Sequence, residues 1–225
     1  SASVDVIVRG LGGHGARPEA TKDPVVMSAQ FINAIQTIVS RQIAPQDPAV
    51  VTVGSIHGGT KRNIIPDQVT MLLTIRTFSD QLKSTIIADL TRTAQGVALA
   101  AGVPENRAPI VTNHESESVP VTYNDPTLTA KLKPVFVRVL GAENVLERKP
   151  EMGSEDFGLL GLENHQIPVF MLRVGAVAPE KMAESQRTGQ PLPSLHSSLF
   201  APLPEPTIRT GVIAMTAAVV DLMSR

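Results

Sequence analysis

Strand-like and helix-like segments alternate along the first 113 residues, and their order is the strongest constraint on the fold. Strand patterns cover residues 4–8, 49–56, 67–78 and 107–112. Helical spacing of apolar residues covers 24–43 and 80–102, and each of these segments is opened by a capping residue, Asp23 or Ser79. The order strand, helix, strand, strand, helix, strand predicts a ferredoxin-like βαββαβ domain over residues 1–113. It has an antiparallel sheet of four strands with both helices on one face.

Residues 114–225 show a different pattern. We predict a helix from the cap at Asp125-Pro126 to Gly141, an almost wholly apolar strand over 167–174, and a final helix after Pro206. One strand and two long helices cannot close an α/β layer. The sequence therefore predicts part of an α/β domain whose other strands lie outside these residues.

Helical spacing also predicts which face of each helix is buried. For the first helix, the expected buried residues are Val25, Ala29, Ile32, Ile35 and Val39. For the final helix they are Ile208, Val212, Met215, Val219 and Leu222.

Charge and composition argue against several classes of partner. The net charge is −1, aromatic residues make up 3% and tryptophan is absent, so we expect no nucleic-acid or anionic-membrane partner. The apolar run 211–223 is shorter than the roughly 20 residues of a membrane-spanning helix. Cysteine is absent, which excludes disulfides and thiolate metal sites within the chain and favours a cytoplasmic location.

The segment GLGGHGARP, residues 10–18, surrounds His14 with four glycines. Gly10, Gly12 and Gly15 match the spacing of a dinucleotide-binding loop, but no helix begins there and the later acidic residue is missing. Two interpretations stay open. The histidine is exposed on a plain glycine turn, or it donates a hydrogen bond to developing negative charge while the glycines let the backbone approach a ligand.

Three other segments carry candidate site residues, each with a plainer alternative. Asn63 binds a carboxylate or carbonyl, or it belongs to an ordinary connection between strands. Arg76 is a carboxylate clamp or a surface charge. In MGSEDFG, residues 152–158, Glu155 and Asp156 are acids of a catalytic cleft or ordinary first-turn residues of a helix. In LHSSLF, residues 195–200, His196 is a metal ligand or an unrelated loop histidine.

Taken in order, these segments resemble one protein family: GGHGARPE, VGSIHGGTKRNIIPDQ with TIRTF behind it, MGSEDFG, and LHSSLF before a C-terminal helix. The chain is similar to the zinc-type metallopeptidases and amidohydrolases, a family that includes hippurate hydrolase, aminoacylase, carboxypeptidase G and the indole-acetyl-amino-acid hydrolases. The hippurate hydrolase-like N-acyl-amino-acid amidohydrolases are the most similar branch. The resemblance covers essentially the whole chain and implies a two-metal catalytic domain interrupted by a ferredoxin-like lid. Residues 1–113 would then be the lid and dimerisation domain, and residues 114–225 the C-terminal segment of the catalytic domain.

The resemblance also implies roles for individual residues. His14 would stabilise the oxyanion of the tetrahedral intermediate, commonly in the active site of the partner subunit. Asn63 and Arg76 would contact the carboxylate of the substrate. His196 would be the last metal ligand, and Glu155 and Asp156 would lie on a loop beside the metals.

The family's other metal ligands and its general-base glutamate precede the lid, so we expect them to be absent from this chain. The parent enzyme would cleave the amide bond of N-acyl amino acids or small peptides with two divalent ions, zinc or manganese, and would form a homodimer through the lid. The chain alone would bind these ions incompletely and be inactive. The alternative is an amino-acid-binding regulatory module, or a dimerisation module, without catalytic activity.

Overall fold

The computed structural model describes residues 1–161 and 165–224, which belong to two compact units. The first unit comprises Ser1–Thr122 and Pro150–Glu163, and the second comprises Tyr123–Lys149 and Asn164–Arg225. The functional division at residue 113, between a lid and a catalytic segment, stays a prediction.

The first unit contains the βαββαβ arrangement that the sequence predicts. Its elements are β1 (Ala2–Arg9), β2 (Gly13–His14), α1 (Pro24–Thr37), β3 (Ala49–Gly58), β4 (Ile64–Ile65), β5 (Gln68–Thr77), α2 (Asp80–Ala100) and β6 (Ile110–His114). The four long strands form one sheet in the order β3-β5-β1-β6, and every neighbouring pair is antiparallel. The two short strands, β2 and β4, pair separately as a small ribbon. The predicted α/β fold class is confirmed.

One hydrophobic core holds both helices against the sheet. Alternate residues of β1, Val4, Val6 and Val8, are fully or almost fully buried, as the alternating pattern requires. They belong to the same cluster as Phe31 of α1 and Leu90 of α2. Both helices therefore cover the same face of the sheet, and each large side chain in this core contributes about 1.5–3 kcal/mol by leaving water.

The buried face of α1 differs from the expected one. Ile35 is buried as expected, but Val25 is 47% exposed and Ala29 is also exposed, whereas Met27 and Phe31 are buried. Because α1 carries apolar residues around much of its circumference, the spacing alone favoured a face rotated from the one that packs. The cap is as predicted, since the Asp23 side chain accepts a hydrogen bond from the amide of Val25 at 2.8 Å.

The described residues of the second unit contain the α-helices α3 (Pro126–Leu140), α4 (Pro179–Thr188) and α5 (Pro204–Met223). Helices α3 and α5 pack through Leu132 and Phe136 on one side and Ala214 and Ala218 on the other. The prediction for the buried face of α5 was wrong, because the small alanines lie inward and let the helices approach closely. All five residues of the expected face are exposed: Ile208, Val212, Met215, Val219 and Leu222.

The predicted strand over 167–174 was also wrong. This segment has neither helix nor strand structure, and Ile167 is 48% exposed. It is held by the Asn124 side chain, which exchanges two hydrogen bonds of 2.9 Å with the backbone of Met171, and by the amide of Asp125, which donates to Val169. An apolar run becomes a strand only when another strand pairs with it, and among the described residues none does.

Helix α5 has the length and apolar composition of a membrane-spanning helix. It begins at Pro204, so it is longer than the run 211–223 considered in the sequence. A single such helix is weak evidence for a membrane, because core helices of soluble proteins have the same composition. The expected absence of a membrane partner and the cytoplasmic location both stay predictions.

Candidate functional site

Two of the predicted site residues, His14 and Asn63, lie side by side on the small ribbon. His14 of β2 pairs with Ile64 of β4, and the amide of Gly15 donates to the carbonyl of Asn63 at 2.9 Å. Both side chains are exposed. We call β2, β4, Gly15 and Asn63 together the His14–Asn63 ribbon, and it carries an exposed imidazole and an exposed side-chain amide.

A backbone hydrogen bond orients the proton of the His14 ring. The amide of Ala16 donates to Nδ1 of His14 at 3.1 Å. A neutral imidazole carries one proton, and Nδ1 acts here as the acceptor, so the proton resides on Nε2. The exposed side of the ring therefore presents a hydrogen-bond donor, which is the group that stabilises an oxyanion.

The glycines before His14 are packed against the chain itself. A Cβ at Gly10 would stand 2.1 Å from the carbonyl oxygen of Lys22, and one at Gly12 would stand 2.8 Å from that of Ile65. At Gly13 it would stand 2.7 Å from the side chain of Thr21. The sequence suggested that these glycines make room for a ligand. In the structure, the chain fills that space, and the glycines build a close-packed base for the ribbon.

Arg76 lies near the end of β5 and contacts a different candidate segment. Its Nη1 donates to the carbonyl oxygen of Met152 at 2.8 Å. Met152–Gly158, which we call the acidic loop, carries the exposed side chains of Glu155 and Asp156. A short 3₁₀ helix, Asp156–Gly161, begins within it, so Asp156 lies in a first turn and Glu155 precedes the helix. No signal in the sequence links Arg76 to a carbonyl 76 positions away.

The ribbon and the acidic loop lie at opposite ends of the sheet. β1 and β5 are antiparallel, with Arg9 opposite Gln68 and Ala2 opposite Ile75. The His14–Asn63 ribbon follows β1 and precedes β5, whereas Arg76 comes eight residues after Gln68, near the other end of β5. At about 3.3 Å per residue, the ten residues of β5 span roughly 30 Å. A small substrate cannot contact both groups within one copy of this unit.

His196 belongs to the second unit and lies in two successive turns. The amide of Ser197 donates to Ser194 at 2.9 Å, the amide of Phe200 donates to Ser197 at 3.0 Å, and the imidazole is exposed. Within residues 1–161 and 165–224, no three His, Asp or Glu side chains come together as a metal site. The described residues therefore do not fit a metal centre by themselves, and the role of His196 as a ligand stays a prediction.

Comparison with known sequences finds a match to a dimerisation domain within the first unit. Residues 1–99 match the family described as the peptidase dimerisation domain, M20_dimer. The chain is 35% identical over 188 residues to N-acetyldiaminopimelate deacetylase of Leuconostoc citreum, covering 84% of this chain and 46% of the relative. It is 33% identical over 159 residues to hippurate hydrolase of Campylobacter jejuni, covering 70% and 39%.

A plant relative shows a similar match. IAA-amino acid hydrolase ILR1-like 4 of Arabidopsis thaliana is 36% identical over 197 residues, covering 86% of this chain and 41% of the relative. The chain thus spans less than half the length of the curated relatives that it matches.

Solved structures show the same fold. A protein of methicillin-resistant Staphylococcus aureus, described as an aminohydrolase, superposes with a TM-score of 0.77 at 27% identity, covering 97% of this chain and 50% of that one. A Bacillus subtilis protein, described as a dinuclear metal binding peptidase of the M20 family, gives a TM-score of 0.65 at 23% identity, covering 99% and 51%. The second likeness concerns the fold alone.

Proposed function

We propose that this chain, whose residues 1–99 match the peptidase dimerisation domain family M20_dimer, is part of a metal-dependent amidohydrolase. The reaction is hydrolysis of the amide bond of an N-acyl amino acid or small peptide. One observation carries the proposal. Relatives 33–36% identical over at least 70% of the chain are named as a deacetylase, a hippurate hydrolase and an amino acid conjugate hydrolase.

Within this reaction, His14 is the oxyanion donor. Attack on an amide carbonyl places negative charge on its oxygen, and a donor aimed at that oxygen stabilises the transition state more than the substrate. The bond from Ala16 to Nδ1 supports this role, because it leaves the Nε2 proton free to donate. Asn63, the neighbour of His14 on the ribbon, orients the substrate through its side-chain amide.

The separation of the ribbon from the acidic loop favours a site shared between two copies of the chain. If His14 and the acidic loop both serve one substrate, they must come from different copies, because the sheet lies between them within one unit. A dimerisation domain supplies such a second copy. We therefore propose a homodimer through the first unit, in which the ribbon of one copy reaches the active site of the other.

Metal dependence is proposed for the whole protein. Two divalent ions, zinc or manganese, would polarise the carbonyl and supply the attacking hydroxide. From this chain, His196 is the proposed ligand. Since the described residues contain no group of three metal-ligating side chains, most ligands must be supplied by other residues. The chain by itself is therefore expected to hydrolyse nothing.

The test is mutation of His14 in the whole protein, with an N-acyl amino acid as substrate. His14→Ala should lower kcat about a hundredfold and leave KM and metal content nearly unchanged, as loss of one oxyanion donor does. His57→Ala is the control, since His57 is an exposed histidine at the end of β3 that does not belong to the ribbon. Mixing His14→Ala subunits with His196→Ala subunits should restore part of the activity through hybrid dimers.

Three results would contradict the proposal. Near-normal turnover of His14→Ala would leave the histidine as part of a plain glycine turn. Loss of metal in His14→Ala would make it a ligand. A whole protein that dimerises and binds amino acids without metal, but hydrolyses no amide, would be a binding module instead.

A further inference from the structure

We propose that three cationic residues beside the His14–Asn63 ribbon select substrates that carry a second carboxylate. These residues are Arg17, Lys61 and Arg62, and we call them the cationic tip. An N-acyl amino acid already has one carboxylate, so the second one belongs either to the amino acid side chain or to the acyl group. The inference rests on the proposed function, because it narrows the substrate class of the same active site.

Two tight turns, one next to each strand of the ribbon, carry the cationic tip. The amide of Arg17 donates to the carbonyl of His14 at 2.8 Å and closes the first turn. The amide of Ile64 donates to the carbonyl of Lys61 at 3.3 Å and closes the second. Because His14 pairs with Ile64, the turn that follows His14 and the turn that precedes Ile64 lie side by side.

A backbone hydrogen bond joins the two turns. The amide of Gly15 donates to the carbonyl of Asn63 at 2.9 Å. Arg17 comes two residues after Gly15, Arg62 directly precedes Asn63, and Lys61 precedes it by two residues. Since successive Cα atoms are about 3.8 Å apart, the backbones of the three cationic residues lie within roughly 8 Å of the residues that form this bond. The sequence separates Arg17 from the other two, and the ribbon brings them together.

Acidic side chains do not offset the positive charge of the cationic tip. Residues 14–17 and 61–64 include neither Asp nor Glu, and Arg17, Lys61 and Arg62 are all exposed. In the part of the chain that the structure describes, no ion pair involves any of the three. The next acids along the chain, Glu19 and Asp67, lie outside the turns, and Asp67 forms an ion pair with another arginine.

Uncompensated positive charge beside a substrate favours an anionic substrate. In water, two unit charges about 8 Å apart attract each other enough to change an equilibrium constant about twofold. Three such charges together give roughly a fivefold preference for one additional carboxylate at low salt, where screening is weak. The turns contain no Phe, Tyr or Trp on which a nucleic-acid base could stack, and the net charge of the chain is −1. A small carboxylate therefore fits the cationic tip better than a polyanion.

Pairs of substrates that differ by one charge test the inference in the whole protein. N-acetylglutamate and N-acetylglutamine differ in the amino acid side chain, whereas N-succinylalanine and its succinamide counterpart differ in the acyl group. A triple methionine variant, Arg17→Met with Lys61→Met and Arg62→Met, removes the three charges. A charge-retaining variant, Arg17→Lys with Lys61→Arg and Arg62→Lys, is the matched control. Arg41→Met is a second control, because Arg41 is exposed and precedes β3, whose first residues pair with the end of β5 farthest from the ribbon.

We expect the wild type to hydrolyse the acidic member of at least one pair with a kcat/KM about fivefold higher than that of the neutral member, mainly through a lower KM. The pair that shows this preference identifies the end of the substrate that carries the second carboxylate. The triple methionine variant should lose the preference and keep its activity on the neutral members, while both controls should retain the preference. Raising the ionic strength to about 1 M should abolish it in the wild type, because the Debye length falls to about 3 Å.

Two results would overturn the inference. One is equal kcat/KM values within both pairs for the wild type, and the other is a preference that survives in the triple methionine variant. If the whole protein hydrolyses no amide, the proposed function fails. The dissociation constants of the same four compounds, measured by calorimetry on the whole protein and its variants, then decide the role of the cationic tip by the same comparison.

Discussion

Adding one methyl group to Gly10 should destabilise the first unit strongly. In Gly10→Ala, the new Cβ would stand 2.1 Å from the carbonyl oxygen of Lys22 and 2.7 Å from Cδ of Pro24. The first obstacle is backbone, so no side-chain rotation relieves it. The Lys22 carbonyl must move by about 1 Å to reach an ordinary contact distance.

That movement has a cost that the structure allows us to estimate. The Lys22 carbonyl accepts from the amide of Leu11 at 2.9 Å, and the amide of Lys22 donates back to Leu11 at 3.0 Å. Overpacking alone costs typically 1–3 kcal/mol, and weakening this pair of bonds adds about 1 kcal/mol. We therefore expect Gly10→Ala to lower the free energy of unfolding by about 3 kcal/mol.

The same chemical change at Gly96 should have the opposite sign. Gly96 lies inside α2, is exposed, and has no atom within 4 Å of the position that a Cβ would occupy. Because alanine favours an exposed helix interior over glycine, Gly96→Ala should raise the free energy of unfolding by about 1 kcal/mol. Both variants replace a glycine with an alanine and therefore restrict the unfolded chain equally, so the difference between them reports the folded state.

Thermal unfolding followed by circular dichroism measures both variants. For a chain of this size, 1 kcal/mol corresponds to about 2–4 °C, so Gly10→Ala should lower the midpoint by roughly 6–12 °C and Gly96→Ala should raise it by roughly 2–4 °C. A midpoint of Gly10→Ala within one or two degrees of the wild type would refute the close-packed role of the glycines. It would favour the interpretation that the glycines make room for a ligand.

Three further predictions concern local interactions. Ala16→Pro removes the amide that donates to Nδ1 of His14. In ¹⁵N NMR, the tautomer protonated on Nε2 should be dominant in the wild type and less populated in the variant. An equal mixture of the two tautomers in both proteins would contradict the assignment. Asp125→Ala removes the cap of α3, whose carboxylate accepts a 2.7 Å bond from the first turn, and should cost about 1 kcal/mol in urea unfolding, whereas Asp125→Asn should cost less. The hydrogen bond from Lys133 lowers the pKa of Glu147, so an NMR titration of Lys133→Met should show that pKa raised toward its ordinary value. A lowered carboxyl pKa stabilises the folded state only above the ordinary pKa, so the stabilisation from this pair is lost as the pH falls. Because both side chains are exposed, the change in the free energy of unfolding should be small.

The fold of the first unit could be predicted because its determinants are local in the sequence. Alternating burial along β1, and caps at Asp23 and Ser79, fix where strands and helices begin. Once six elements follow in this order, short connections leave few arrangements of the sheet. The pattern predicts an antiparallel sheet of four strands, and the structure shows one in the order β3-β5-β1-β6.

The candidate site could be predicted only in part. His14 and Asn63 were found through a motif, and the structure brings them together on one ribbon. The contact between Arg76 and Met152 has no counterpart in local sequence, because it depends on how the acidic loop returns to the sheet. The bond from Ala16 to His14 spans two residues, so closer attention to this turn would have found it.

The sequence by itself determined the order of elements, their caps and the class of sheet, because hydrophobic period and capping depend on neighbouring residues. The tertiary structure alone decided which faces were buried and which segments became strands. Helix α5 is apolar on more than one side, and it packs through Ala214 and Ala218 because small residues let α3 approach closely. Residues 167–174 have the composition of a strand but lack a described strand to pair with, and backbone pairing is what makes an extended segment part of a sheet. Both outcomes depend on contacts between residues far apart in the chain, which local periodicity does not encode.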